Sequence, residues 1–235
     1  MTTFQNASRL QTSVLNSLER RVLVWLAERM PAAINSDHLT VLAAVAMAGA
    51  GAAYASARVW PWALVVVNLF LAINWFGDSL DGTLARVRNR QRPRYGFYVD
   101  HVVDCLGATM MFVGLGQSGY MHLTVALSVL IAYLLLSAEV YLATYTRQTF
   151  RMTYFKLGPT ELRILLAAGN VAALVHPTIV VAGRPVLWFD VAGVGTAAGL
   201  GLTLLYSILG NARALYKEEQ GALGREGPGT AEIRL

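Results

Sequence analysis

Six apolar stretches, about 38–57, 61–77, 97–118, 121–145, 160–183 and 187–211, occupy most of this 235-residue chain. Each approaches the roughly 20 residues that a helix needs to cross a bilayer. Lipid offers a backbone no hydrogen-bond partner, so such segments are stable only as helices that satisfy their own N–H and C=O groups. Composition agrees: 14% of residues are charged, against about 25% in soluble domains, and the mean hydropathy is +0.47. Polar residues that continue the second stretch past Phe76 predict a helix that leaves the membrane without ending. The expected fold is an all-α integral membrane protein with six transmembrane helices.

Lysine and arginine placement orients them. Arg9, Arg20, Arg21 and Arg29 precede the first stretch, and Arg86, Arg88, Arg90, Arg92 and Arg94 follow the second. Arg147, Arg151 and Lys156 follow the fourth; Arg213, Lys217, Arg225 and Arg234 follow the sixth. The alternate connections hold only Arg58 and Arg184. Six spans put every basic connection on one side, expected to be the cytoplasm (the inner membrane in a bacterium). The net charge of +5 is thereby a matter of topology, and no nucleic-acid partner is expected.

Leu15 to Met30 mixes Leu, Val and Trp with Glu and Arg at near-helical spacing, which predicts an amphipathic helix at the membrane surface. Residues 1–35 form this interfacial segment, with no cleavable leader expected. Residues 36–213 form the transmembrane catalytic domain, and 214–235, rich in Gly, Glu and Pro toward its end, a disordered cytoplasmic tail. Ser36 or Asp37 is expected to cap the first span. Cys105, the single cysteine, is expected to be a packing residue.

Ionisable residues near spanning helices are expensive and rarely idle. Asp78 and Asp81 stand where the second span ends, and Asp100 and Asp104 where the third begins. Spacings of three or four residues put side chains on one helical face. Asp78, Asp81, Gly82, Ala85 and Arg86 therefore form one stripe, and Gly96, Asp100, Asp104 and Gly107 another, on antiparallel neighbours joined by a short loop. Four carboxylates so close cannot all ionise without a counter-charge. Oxygen ligands select a hard cation such as Mg²⁺ or Mn²⁺, which suits a pyrophosphate. Gly82 and Ala85 leave bare helix for a nucleotide, and Arg86 can pair with a phosphate. Gly96 and Gly107 read better as helix-packing positions.

The run Asp78-x-x-Asp81-Gly82-x-x-Ala85-Arg86, then Gly96-x-x-x-Asp100-x-x-x-Asp104, resembles the signature of the CDP-alcohol phosphotransferase (CDP-alcohol phosphatidyltransferase) family. It covers eight positions over 27 residues, with one more residue between Arg86 and Gly96 than is usual. The resemblance implies a six-span enzyme of phospholipid synthesis, generally a homodimer, that uses Mg²⁺ or Mn²⁺, two ions, and releases CMP. It implies metal binding by Asp78, Asp81 and Asp100, with Asp104 a further ligand or the general base. It also implies that Gly82, Ala85 and Arg86, with Asp78, hold the CDP moiety. His101 is an alternative base, although a bond to a neighbouring helix is its expected role.

A second cluster comprises Glu139, Tyr141, Tyr145, Arg147, Arg151, Gly158-Pro159-Thr160-Glu161 and Arg163. Pro159 and Thr160 predict a helix start. If CDP-diacylglycerol is the donor, Arg147, Arg151 and Arg163 would bind an acceptor phosphate, such as that of glycerol or inositol phosphate. If CDP-choline or CDP-ethanolamine is the donor and diacylglycerol the acceptor, Glu139, Glu161, Trp75 and Tyr98 would suit an ammonium group. The arginines favour the first, whereas Asp100-His101 and Gly158-Pro159-Thr160-Glu161, which resemble runs of the amino-alcohol phosphotransferases, pull toward the second. A divalent-cation transporter is the non-enzymatic alternative, but transport sites lie near the midplane, whereas these aspartates lie at helix ends.

Overall fold

The computed structural model describes residues 16–147 and 159–223. Its helices are α1 (Asn16–Arg29), α2 (Ser36–Ser56), α3 (Ala63–Val87), α4 (Pro93–Gln117), α5 (Leu123–Arg147), α6 (Pro159–Val175) and α7 (Trp188–Leu223), with strands β1 (Thr178–Val181) and β2 (Arg184–Leu187) between the last two. Five of them, α2 to α5 and α7, are long and apolar enough to cross a membrane. Val41, Leu69, Ile131 and Leu202 are exposed on these helices, as expected where lipid is the solvent.

The expected fifth span ends early. α6 stops at Val175, and Thr178–Val181 pairs antiparallel with Arg184–Leu187, opposing Val181 to Arg184. Ala182 and Gly183 both have positive φ, 50° and 77°, the backbone that two-residue hairpin turns require. The run of Ile and Val after Pro177 is as apolar as a helix end, so hydropathy alone does not separate the two. The remaining 17 residues of α6 still extend about 25 Å at 1.5 Å per residue.

Other boundaries move as well. α3 runs unbroken to Val87, so Asp78 and Asp81 do lie on one continuous helix. It closes with Asn89 at φ 53° while Arg90 N donates to Ala85 O and Asn89 N to Arg86 O, the paired bonds of a Schellman turn. Asn35, rather than Ser36 or Asp37, caps α2: its side chain accepts from His38 N, and His38 Nδ1 accepts from Asn35 N. α7 continues to Leu223, so residues 214–223, expected to lack structure, are helical; 224–235 lie outside the described residues.

α2 is the central helix, flanked by α3 and α4, with α6 on α3, α5 on α4 and α7 on α5. Small residues permit the close approaches, as membrane packing requires. A Cβ on Gly114 would fall on the Gly51 carbonyl oxygen, and one on Gly77 would lie 2.6 Å from Leu39 O. The main core joins Ala50, Tyr54, Leu64, Val67 and Leu115. A smaller one, Leu23, Ala27, Leu39, Leu80 and Leu84, seats the apolar face of α1 beside the aspartate-bearing end of α3. Arg88 donates to Met30 O at 2.7 Å, Pro31 O at 3.0 Å and Ile34 O, tying the α1–α2 connection to the end of α3.

Candidate active site

The two stripes meet. Oxygens of Asp78 on α3 and of Asp100 and Asp104 on α4 all lie within 4.8 Å of one another, and all three residues are partly buried. Asp81 stands beside this group, within electrostatic reach of Asp78 and Asp100, but is held by α2. Its Oδ2 accepts from Thr40 Oγ1 at 2.7 Å, its carbonyl from Ser36 Oγ at 2.9 Å, and its Oδ1 from Gly82 N.

One guanidinium enters from α6. Arg163 Nη2 donates to Asp78 Oδ2 at 2.6 Å and Nε to Asn74 Oδ1 at 2.9 Å. Asn74 is itself anchored by donating to Ala43 O at 3.1 Å. Arg163 Nη1 is buried with no hydrogen-bond partner among the described residues. Among the described residues, three converging carboxylates face one guanidinium, which leaves excess negative charge, and every candidate ligand is an oxygen. That donor set fits a hard divalent cation.

Gly82 presents open helix: a Cβ there would meet only Arg86 Nη1, at 3.5 Å. Ala85 is half-buried and Arg86 exposed, with Arg86 Nη2 donating to Thr83 Oγ1 at 3.0 Å. Gly107 packs on Met47, as expected, but a Cβ on Gly96 would meet nothing within 4 Å, so Gly96 is open helix surface rather than a packing position.

His101 sits at the edge of the carboxylate group, with Nδ1 4.0 Å from Asp100 Oδ2. It is buried, with Nδ1 2.6 Å from Phe97 O and its ring 4.1 Å from Phe97 and edge-on to Tyr141 of α5 at 4.8 Å. The 100° step from Asp100 turns it toward α5. Cys105 Sγ lies 3.9 Å from the Tyr141 hydroxyl in the same contact zone.

The second cluster divides. Among the described residues of the cluster, Arg163 alone reaches the carboxylates. Arg147 donates to Asn211 Oδ1 at 2.8 Å and lies 3.7 Å from Glu218. Glu139 accepts from Ser207 Oγ at 2.7 Å and Asn211 Nδ2 at 2.6 Å. Both therefore serve the α5–α7 contact. Glu161 is half-buried in the first turn of α6, and Arg151 lies outside the described residues. Trp75 Nε1 donates to Glu19 at 2.8 Å, and Tyr98 is exposed. Sequence reasoning assigned no chemistry to Thr40, Ser36 or Asn74.

A family model described as CDP-alcohol phosphatidyltransferase matches residues 34–205. The chain is 27% identical over 201 residues to an archaetidylinositol phosphate synthase of Methanothermobacter thermautotrophicus, with 82% of this chain and 90% of that protein covered. It shares its fold with crystal structures of the Mycobacterium tuberculosis phosphatidylinositol phosphate synthase. The one with CDP-DAG bound has a TM-score of 0.54 at 18% identity, covering 93% of this chain and 99% of that one. The complex with manganese and citrate has a TM-score of 0.55 at 17% identity, covering 92% and 93%. The chain belongs to the CDP-alcohol phosphatidyltransferase family, integral membrane transferases that use a divalent metal to move a substituted phosphate from a CDP-linked donor to an alcohol hydroxyl.

Proposed function

We propose that this chain transfers the phosphatidyl group of CDP-diacylglycerol to a phosphorylated polyol, with inositol phosphate the first candidate acceptor. The observation that carries the acceptor class is Arg163 Nη1, a buried donor with no partner among the described residues beside the carboxylates. Buried donors without partners are rare, and an anionic oxygen of an acceptor phosphate would complete this one. The inositol phosphate chemistry in the names of the curated relative and the structural neighbours, and the CDP-DAG bound in one of them, point the same way.

Asp78, Asp81, Asp100 and Asp104 would hold Mg²⁺ or Mn²⁺, two ions in this reading, and the bound metal neutralises the donor pyrophosphate and the departing CMP. Gly82 and Ala85 receive the nucleotide on bare helix, and Arg86 pairs with phosphate. Asp104 takes the proton of the acceptor hydroxyl, whose oxygen bonds to the donor's β-phosphorus. The bond from that phosphorus to the bridging oxygen breaks, and CMP carries the electron pair away. His101, packed against Phe97 and Tyr141 with Nδ1 4.0 Å from Asp100 Oδ2, is given no proton transfer in this reading. The reading includes a cytoplasmic site, six spans counting α6, a catalytic domain over 36–213 and a homodimer.

An amino-alcohol donor is less well supported, because Glu139 accepts from Ser207 and Asn211 at the α5–α7 contact. The deciding assay measures CMP release by purified protein with Mn²⁺, offering CDP-diacylglycerol with inositol phosphate or glycerol phosphate, and separately CDP-ethanolamine with diacylglycerol. CMP from the first donor alone supports the proposal; CMP from the second alone overturns it.

A further inference from the structure

Glu19 of the interfacial helix α1 reaches the place where α3 and α6 meet. A single oxygen, Oε1, accepts from Trp75 Nε1 on α3 at 2.8 Å and from Thr160 Oγ1 on α6 at 2.7 Å. Trp75 adjoins Asn74 and lies three residues before Asp78; Thr160 lies three residues before Arg163. The doubly accepted bond therefore flanks the contacts of Arg163 with Asn74 and Asp78. Helix α1 is seated on α3 by Leu23 and Ala27, packed with Leu80 and Leu84, so Glu19 projects from a fixed platform.

We propose that Glu19 is a positioning residue for the transfer reaction. By holding Trp75 and Thr160 on one atom, it clamps the first turn of α6 against α3 and aims Arg163 Nη1 at the acceptor. This rests on the acceptor role given to Arg163 above. A guanidinium is planar and binds anions through a fixed fork, so the bonds from Nε and Nη2 fix its plane and with it the directions of the two N–H groups on Nη1. A small displacement of the α6 turn redirects them, and misplacement by about 1 Å is costly at a reacting site. The competing role for Glu19 is an acid that complements the first turn of α1. That role depends on charge, whereas the clamp depends on an acceptor oxygen. Glu19→Gln removes the charge and keeps the oxygen.

The test uses the full chain with Glu19→Gln, Glu19→Ala, Thr160→Val and Thr160→Ser. Hydrogen–deuterium exchange over residues 160–166 reads the clamp. Calorimetric binding of inositol phosphate in Mn²⁺, beside the KM for CDP-diacylglycerol, reads the positioning. Glu19→Ala and Thr160→Val are expected to speed exchange and weaken inositol phosphate about tenfold, with the donor KM unchanged. Glu19→Gln and Thr160→Ser are expected to retain wild-type behaviour. Gln as damaging as Ala, equal weakening of donor and acceptor, or unaltered exchange would each overturn the proposal. If Glu19→Ala does not fold, Thr160→Val, which removes one hydroxyl, decides. Failure of the unaltered chain to bind inositol phosphate sinks the acceptor reading instead, and exchange over 160–166 then decides the clamp alone.

Discussion

Asp104 lies one turn deeper along α4 than Asp100, with an oxygen in the same three-carboxylate group. Asparagine there keeps the shape and removes the proposed proton acceptor, so Asp104→Asn should lower CMP release about 10²–10⁴-fold, measured at saturating donor and acceptor. Thr40 donates at 2.7 Å to Oδ2 of Asp81, one of the proposed metal ligands. Partners that orient a metal ligand are typically worth about 10–100-fold in metal affinity or activity. Thr40→Val is therefore expected to raise the Mn²⁺ concentration for half-maximal activity by about that factor, while Thr40→Ser restores it. An unchanged Mn²⁺ requirement in Thr40→Val would remove Thr40 from the site. The aspartates were legible because a spacing of three or four residues has only one meaning on a helix. Thr40 and Asn74 were not, because their partners lie on other helices.

The α2–α4 crossing depends on backbones that touch. A Cβ on Gly114 would meet the Gly51 carbonyl, and backbone yields less readily than a flexible side chain. Gly114→Ala should therefore destabilise the protein by about 1–3 kcal/mol, seen as a lower midpoint of thermal unfolding in detergent. Gly96→Ala, on open helix surface, should leave the midpoint in place. A Gly114→Ala protein as stable as wild type would show that α2 and α4 pack less closely than the geometry requires. The sequence treats all these glycines alike, since small residues suit both packing and ligand approach. Only the position of the opposing helix separates Gly107, against Met47, from Gly96.

At the scale of the whole molecule the element that departs most from the expected spans is α6, shortened to 17 residues by the hairpin that follows it. If α6 crosses, the α4–α5 connection and the hairpin lie on the side opposite Gly96. In a Cys105→Ala background, Gly119→Cys and Gly183→Cys should react with an impermeant maleimide from outside the cell, and Gly96→Cys only in inverted vesicles. Labelling of Gly183→Cys on the same side as Gly96→Cys would mean that α6 enters and returns without crossing. Metal dependence also belongs to the assembled bundle, because the carboxylates proposed to hold the ion come from both α3 and α4. Saturating Mn²⁺, at about 100 times its dissociation constant, should stabilise the protein by about 2.7 kcal/mol. EDTA should abolish both that shift and CMP release.

The sequence by itself determined the membrane class, the aspartate stripes and the amphipathic helix beside them. These follow from hydropathy and helical periodicity, which are local and additive along the chain. Where α6 ends was out of reach for the same reason: Thr178–Val181 is apolar and β-branched, and hydropathy scores strand and helix alike. Tertiary structure alone decided which polar groups meet. It gave Glu139 and Arg147 to α7, turned His101 to Tyr141, and brought Arg163 to Asp78 across 85 residues of chain. A side chain's partner depends on how two helices are rotated against each other. That rotation is set by the packing of the whole bundle, which no local pattern contains.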